Sequence, residues 1–240
     1  MRASMNIQSL LRSTVLGTTL LALVAGTAMA QTPAANQLSK LTPVTDDMLK
    51  NPPDSDWLMW RRTYNGWGYS PLAQINKDNV KDMQLLWSWG LTPGGTTQET
   101  PLVHDGVMYV QNSTHLIQAL DASTGELLWQ YQHRLPDGVS PNGQRTKALY
   151  GDNLIVATRD AHILAINAKT GKLVWDQQVA DYKKGWAYST GPIVANGVIV
   201  QGMTSCGNAQ PGGCFFTGHD PKTGNCLLYT SPSPRDGLLS

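Results

Sequence analysis

The sequence has little charge and little phenylalanine: charged residues make up 15% of its 240 positions, the formal net charge is +1, and there are two phenylalanines. A near-neutral chain carries no electrostatic footprint for nucleic acid or an anionic lipid surface, so neither is expected as a partner. Cysteines number three. Cys206 and Cys214 come without a matching histidine or second cysteine pair, which argues against a zinc site. The five histidines, His104, His115, His133, His162 and His219, show no ligand spacing and are assigned to packing or surface. Gly94-Gly95 and Gly212-Gly213 do not lead from a strand into a helix, so they read as turns rather than phosphate loops.

Tryptophan and glycine are plentiful instead, with eight and 23 residues. That mixture suits short strands and tight turns better than helices. At the N-terminus Arg2 and Arg12 precede an uncharged stretch through Leu20, Leu21, Leu23 and Val24, which ends in Ala28-Met29-Ala30. This is the pattern of a secretory signal cleaved after Ala30. Its strongly apolar part falls short of the ~20 residues of a membrane span. Export places the mature chain in the periplasm, beginning at Gln31, with residues 31–54 an unstructured N-terminal extension.

An internal repeat sets the architecture. Ala119-Leu-Asp-Ala-Ser-Thr-Gly-Glu-Leu-Leu-Trp129 and Ala165-Ile-Asn-Ala-Lys-Thr-Gly-Lys-Leu-Val-Trp175 share one pattern, and their tryptophans lie 46 residues apart. A period in the forties with several short strands per unit is the spacing of β-propeller blades. In each unit Asp/Asn-x-x-Thr-Gly is a hairpin turn whose glycine, Gly125 or Gly171, supplies positive φ. A third copy, Gly218-His-Asp-Pro-Lys-Thr-Gly224, places Leu228 where the next tryptophan belongs. The fold class is therefore all-β, a propeller with tryptophan-docking motifs, of which three blades are present. The match stops near Asn225, and residues 226–240 resemble translated sequencing-adapter read-through. The expectation is a non-native tail on a truncated chain.

Asp56-Trp-Leu-Met-Trp-Arg-Arg-Thr-Tyr-Asn-Gly-Trp-Gly-Tyr-Ser-Pro-Leu72, followed by Leu85-Leu-Trp-Ser-Trp89, closely resembles the opening of the quinoprotein alcohol dehydrogenases, which depend on pyrroloquinoline quinone (PQQ). The resemblance covers residues 55 to 225 and implies that this stretch starts the first of eight blades. It also implies a periplasmic oxidoreductase that oxidises an alcohol or related hydroxyl compound, using PQQ on a bound Ca²⁺ or lanthanide. Electrons would pass to a cytochrome c or quinone acceptor. The alternative is a non-enzymatic propeller scaffold of the outer-membrane assembly type, which shares the blade motif.

The resemblance also nominates residues. Glu99, just before Thr100-Pro101-Leu102-Val103, matches the family's first cofactor contact. Arg145 would grip a cofactor carboxylate, since its fork can do so bidentately, and Thr158 would lie beside the ring system. The family's metal-binding glutamate segment is replaced here by residues 204–214, where Asn208 or Gln210 could offer an amide oxygen. The adjacent cysteines that many members carry before the arginine are missing. Cys206 and Cys214 are expected to form a disulfide. The catalytic aspartate of the family would lie beyond residue 225.

Overall fold

The computed structural model describes residues 33–91, 97–141, 145–204 and 214–230. Three four-stranded antiparallel sheets follow one another along the chain. The first contains β1 (Leu102–His104), β2 (Val107–Gln111), β3 (Leu116–Asp121) and β4 (Leu127–Gln132), and the second β5 (Ala148–Tyr150), β6 (Asn153–Ala157), β7 (His162–Asn167) and β8 (Leu173–Gln178). The third is built from β9 (Ile193–Ala195), β10 (Val198–Gly202), β11 (Phe216–His219) and β12 (Cys226–Thr230). Each sheet is ordered as its strands occur in sequence, so every connection inside a blade is a hairpin. The middle strands are buried almost throughout, as in β7, where Ile163, Leu164, Ala165 and Ile166 are inaccessible to solvent. Strands covered on both faces need no polar alternation, which is why their sequences are continuous apolar runs.

The repeat motif builds the joint between blades. Asp121, Asn167 and Asp220 each accept backbone N–H bonds from the second and third residues that follow, which shapes the turn. Gly125, Gly171 and Gly224 close those turns at φ of +75°, +67° and +74°. A tryptophan of the preceding blade lies flat against each glycine: Trp129 on Gly171 and Trp175 on Gly224, with an added Cβ meeting the indole at 2.7 Å in both cases. The indole N–H donates to a carbonyl inside the same turn, Trp129 to Ala168 at 2.9 Å and Trp175 to Pro221 at 3.1 Å. The ring is thus buried with its donor satisfied.

Trp87 repeats this geometry on the first blade, seated on Gly125 and donating to Ala122 at 3.2 Å. The segment expected to open the first blade therefore takes a different position. Residues 57–91 form no strand; they contribute a bridge between Trp57 and Val103, a short 3-10 turn at Val80–Asp82 and the docked Trp87. Leu85 and Leu86 beside it are 84% and 85% exposed. In the third blade Leu228 stands opposite Gly218, as Trp129 stands opposite Ala119 and Trp175 opposite Ala165, so it occupies the tryptophan position. The first five residues of the expected tail, Cys226–Thr230, pair as β12.

The extension before the blades is more ordered than its composition suggests. It contains two short helices, α1 (Pro33–Ser39) and α2 (Asp46–Lys50), the latter capped by the Thr45 hydroxyl. Between and within them the chain crosses the inner hairpin turns of all three blades. Thr42 donates its N–H and hydroxyl to Asp105, Val44 pairs with Gly151, and the Asp46 carboxylate accepts from the Gly197 N–H and the Tyr150 hydroxyl. Local polarity suggested loop, but tertiary partners supplied the hydrogen bonds that the backbone needed.

Candidate functional site

Because the inner strands run alike in each blade, their first residues gather at one mouth. The registers align Leu102, Ala148 and Ile193 as the first residues of β1, β5 and β9. Counting back from them, Glu99, Arg145 and Thr190 hold equivalent places. So do Thr100, Thr146 and Gly191, and so do Pro101, Lys147 and Pro192. The heads touch: the Thr100 N–H donates to the Arg145 carbonyl at 3.1 Å, and Gly191 packs so closely on the Thr146 carbonyl that no Cβ would fit. A cavity of about 250 Å³, lined by Trp60, Arg145, Thr146, Thr190, Gly191 and Ile193, opens there. A hollow of about 410 Å³ between loops 137–140 and 182–187 is larger but does not contain Arg145, and Glu99 lines neither space.

Two of the nominated residues meet at the mouth. The Glu99 side chain is 4% exposed and its Oε1 is ion-paired with Lys147, while its Oε2 is buried without a hydrogen-bond partner. Arg145 is exposed, and its Nε donates to Gln98 Oε1 at 2.9 Å. Lys147 is fully buried and also reaches the Thr100 carbonyl at 3.4 Å; burial pushes its ammonium down to about 7. The sequence reading missed Lys147. One signal was available, since the other two repeats carry proline at its place.

Thr158 is buried, but its hydroxyl is engaged elsewhere. It bonds Asp160 at 2.5 Å and the His162 backbone, inside a network that includes His133 on Asp160 at 2.9 Å and His162 on Asp176 at 2.6 Å. Burial alone would raise the Asp160 carboxyl, yet the hydrogen bonds from His133 and Thr158 outweigh it and hold the group at about 2. Beside this network burial keeps His115 neutral, pushed down to about 4, and its Nε2 accepts the Arg159 N–H at 3.0 Å. The histidines expected to serve only packing or surface are thus largely members of polar networks. Spacing rules could not show this, because the partners come from different hairpins.

Asp56, His104 and Asp105 have the chemistry of metal ligands and lie close together. Both ring nitrogens of His104 face acceptors, however: the Asp56 carboxylate at 2.7 Å and the Thr42 carbonyl at 2.8 Å. Two acceptors on opposite sides of the ring favour its doubly protonated form. Burial lowers its pKa, but the hydrogen bonds to Asp56 and Thr42 more than compensate and the net effect is upward. With both ring nitrogens already engaged by Asp56 and Thr42, the cluster ties the N-terminal strap to the first blade. Asn208, Gln210 and Cys206 lie outside the described residues. Cys214 is disulfide-bonded, and Cys226 is free and exposed.

Residues 57–227 match the profile of the PQQ glucose/ethanol/alcohol dehydrogenase β-propeller domain. Among curated proteins the chain is similar to the quinoprotein alcohol dehydrogenase PedH of Pseudomonas putida, 38% identical over 180 residues, which cover 70% of this chain and 29% of the relative. Among solved structures it is similar to the quinohemoprotein alcohol dehydrogenase of Comamonas testosteroni, at TM-score 0.71 and 29% identity over 82% of this chain and 30% of that one. It is also similar to a europium-containing methanol dehydrogenase, at TM-score 0.69 and 27% identity over 79% of this chain and 34% of that one. The chain thus spans about a third or less of the length of these relatives.

Proposed function

Because the chain belongs to the PQQ-dependent alcohol dehydrogenase family, we propose that its mouth is part of a PQQ seat in an enzyme that oxidises an alcohol or related hydroxyl compound. The observation that carries this reading is the pairing of unlike groups at one inner edge: Glu99 with a buried, unpartnered Oε2, and Arg145 with an exposed guanidinium. A buried acceptor without a donor costs about 1–3 kcal/mol, and a ligand that supplies the donor recovers it. Arg145 suits a carboxylated ligand, because its planar fork bonds two oxygens at once. The donor set therefore fits a flat quinone bearing carboxyl groups.

In this reading PQQ, when bound, supplies the redox change that no side chain can carry. The residues of this chain bind and orient it. Glu99 accepts through Oε2, Arg145 holds a carboxylate, and Trp60 and Ile193 keep water from the apolar wall of the cavity. Thr158 contributes through Asp160, keeping the loop beside the mouth in place. Ca²⁺ or a lanthanide belongs to the same reading, with Asn208, or else Gln210, as the ligand candidate here; the europium-containing relative supports a metal of this class. A periplasmic location, a cytochrome c or quinone acceptor, and a Cys206–Cys214 bridge complete the proposal.

The test uses protein expressed from the full gene with its export signal. Equilibrium dialysis should show saturable PQQ binding, and an acceptor dye should be reduced when PQQ, Ca²⁺ or a lanthanide, and a primary alcohol are all present. The 240-residue chain alone should be inactive, since it spans about a third or less of its relatives' length and three blades enclose only part of a cofactor's surface. Failure of the full-gene product to bind PQQ or turn over any of a broad alcohol panel returns the reading to a non-enzymatic scaffold.

A further inference from the structure

Lys147 is out of place by the logic of its own repeat. At the head of the inner strand the first and third blades carry Pro101 and Pro192, residues that bring no charge and no donor. The second blade carries a lysine with no solvent-accessible side-chain surface, and its partner Glu99 is nearly as deeply buried. Taking two charges out of water is costly before their attraction is counted, and an apolar side chain at this place would avoid that cost. Neither Lys147 nor Glu99 lines the cavity itself; in the lysine's blade Arg145 and Thr146 do, and the buried ion pair adjoins them in sequence through Lys147.

The contacts divide the Glu99 carboxylate into two unequal halves. Oε1 is held by Lys147, whose Nζ is steadied by the Thr100 carbonyl. Oε2 is buried and open. We propose that Lys147 is a positioning residue for the cofactor seat: its ammonium fixes the Glu99 carboxylate on Oε1 and cancels its charge, so that Oε2 is presented as an acceptor without repelling an anionic quinone. This rests on the PQQ reading given above. Arg145 then meets the carboxyl groups of the ligand directly, while Lys147 acts only through Glu99. A division of labour of this kind suits a compact ammonium paired with a carboxylate and a planar fork in the open mouth.

A mutant cycle on the full-gene product, read as the PQQ dissociation constant by equilibrium dialysis, tests this directly. Lys147→Met keeps volume and apolar burial but leaves Glu99 as a bare carboxylate, and affinity should fall at least tenfold. Lys147→Arg should stay within about threefold of wild type. In the Glu99→Gln background the lysine has nothing to neutralise, so Glu99→Gln/Lys147→Met should bind like Glu99→Gln alone and better than Lys147→Met; a merely structural lysine would make the double variant worse. Should Lys147→Met fail to fold, the comparison within the Glu99→Gln background decides, since a further tenfold loss there overturns the proposal. Unchanged binding by folded Lys147→Met overturns it as well. Absence of binding by the wild type, by contrast, overturns the PQQ reading itself.

Discussion

The outer joints and the inner mouth are built from corresponding positions of the same blades, yet they vary in opposite ways. At the outer joints Trp87, Trp129 and Trp175 sit on Gly125, Gly171 and Gly224 in nearly the same pose, each with its N–H on a turn carbonyl. At the mouth equivalent places hold glutamate, arginine and threonine, then proline, lysine and proline. Every joint between blades poses the same packing problem, so one solution repeats. A ligand lying near the common centre has no such symmetry, and each blade meets a different part of it. Uniformity marks the scaffold, and broken uniformity marks the proposed site.

The largest effect should come from breaking a joint. Trp129→Ala removes a buried indole that touches Gly171 and Tyr109, and should cost about 3–5 kcal/mol in urea unfolding. It should leave PQQ affinity nearly unchanged in whatever fraction stays folded. If affinity falls as much as stability, joint and mouth are not separable.

Acid comes next, because it acts on the network next to the mouth. The unfolded chain protonates His115 below about 6.5, whereas the folded one resists until about 4, so the folded state binds fewer protons in that window. Stability held above pH 6.5 is therefore lost as pH falls towards 4, by on the order of 3 kcal/mol. His133, Asp160 and Arg159 face the ring and set its charge environment. Asp160 adds a second loss between 3.8 and about 2, since its native carboxylate must then take up a proton. His115→Gln should flatten the first step in melts at stepped pH and leave the second.

Arg145→Ala makes a smaller and more selective change. The residue is exposed, so stability should move by less than about 0.5 kcal/mol. PQQ affinity should drop about tenfold, the ~1.5 kcal/mol of a charge-assisted hydrogen bond. Smallest of all is Leu228→Trp, which restores the repeat residue where no following turn exists among the described residues to receive it. Its melting temperature in the 240-residue chain should stay within about a degree of the parent. A clear rise would mean that the indole finds a seat elsewhere.

The same contrast governs what could be read from sequence. Asp-x-x-Thr-Gly followed by tryptophan is legible because turn, glycine and indole recur at fixed offsets, and the blade count follows from them. Glu99 and Arg145 were found through family resemblance, and the structure brings them to one mouth. Lys147 meets Glu99 across 48 residues, a contact that exists only once two blades are in register. Thr158 faces its own loop because Asp160, two residues on, competes for its hydroxyl. The strap over residues 42–46 escaped notice because its partners are hairpin turns far away in sequence, and no periodicity encodes them.

The docking of the tryptophans has a direction, with a bearing on how each blade depends on its neighbours. Each indole reaches forward, to a carbonyl 35 residues later for Trp87, 39 for Trp129 and 46 for Trp175. Each ring therefore depends on a turn that lies C-terminal to it, and the blade that supplies the turn carries the next ring in need of one. Stability that adds up from neighbour to neighbour then runs along the chain in one sense, so that loss of one blade unseats the tryptophan before it and leaves the turn after it uncovered.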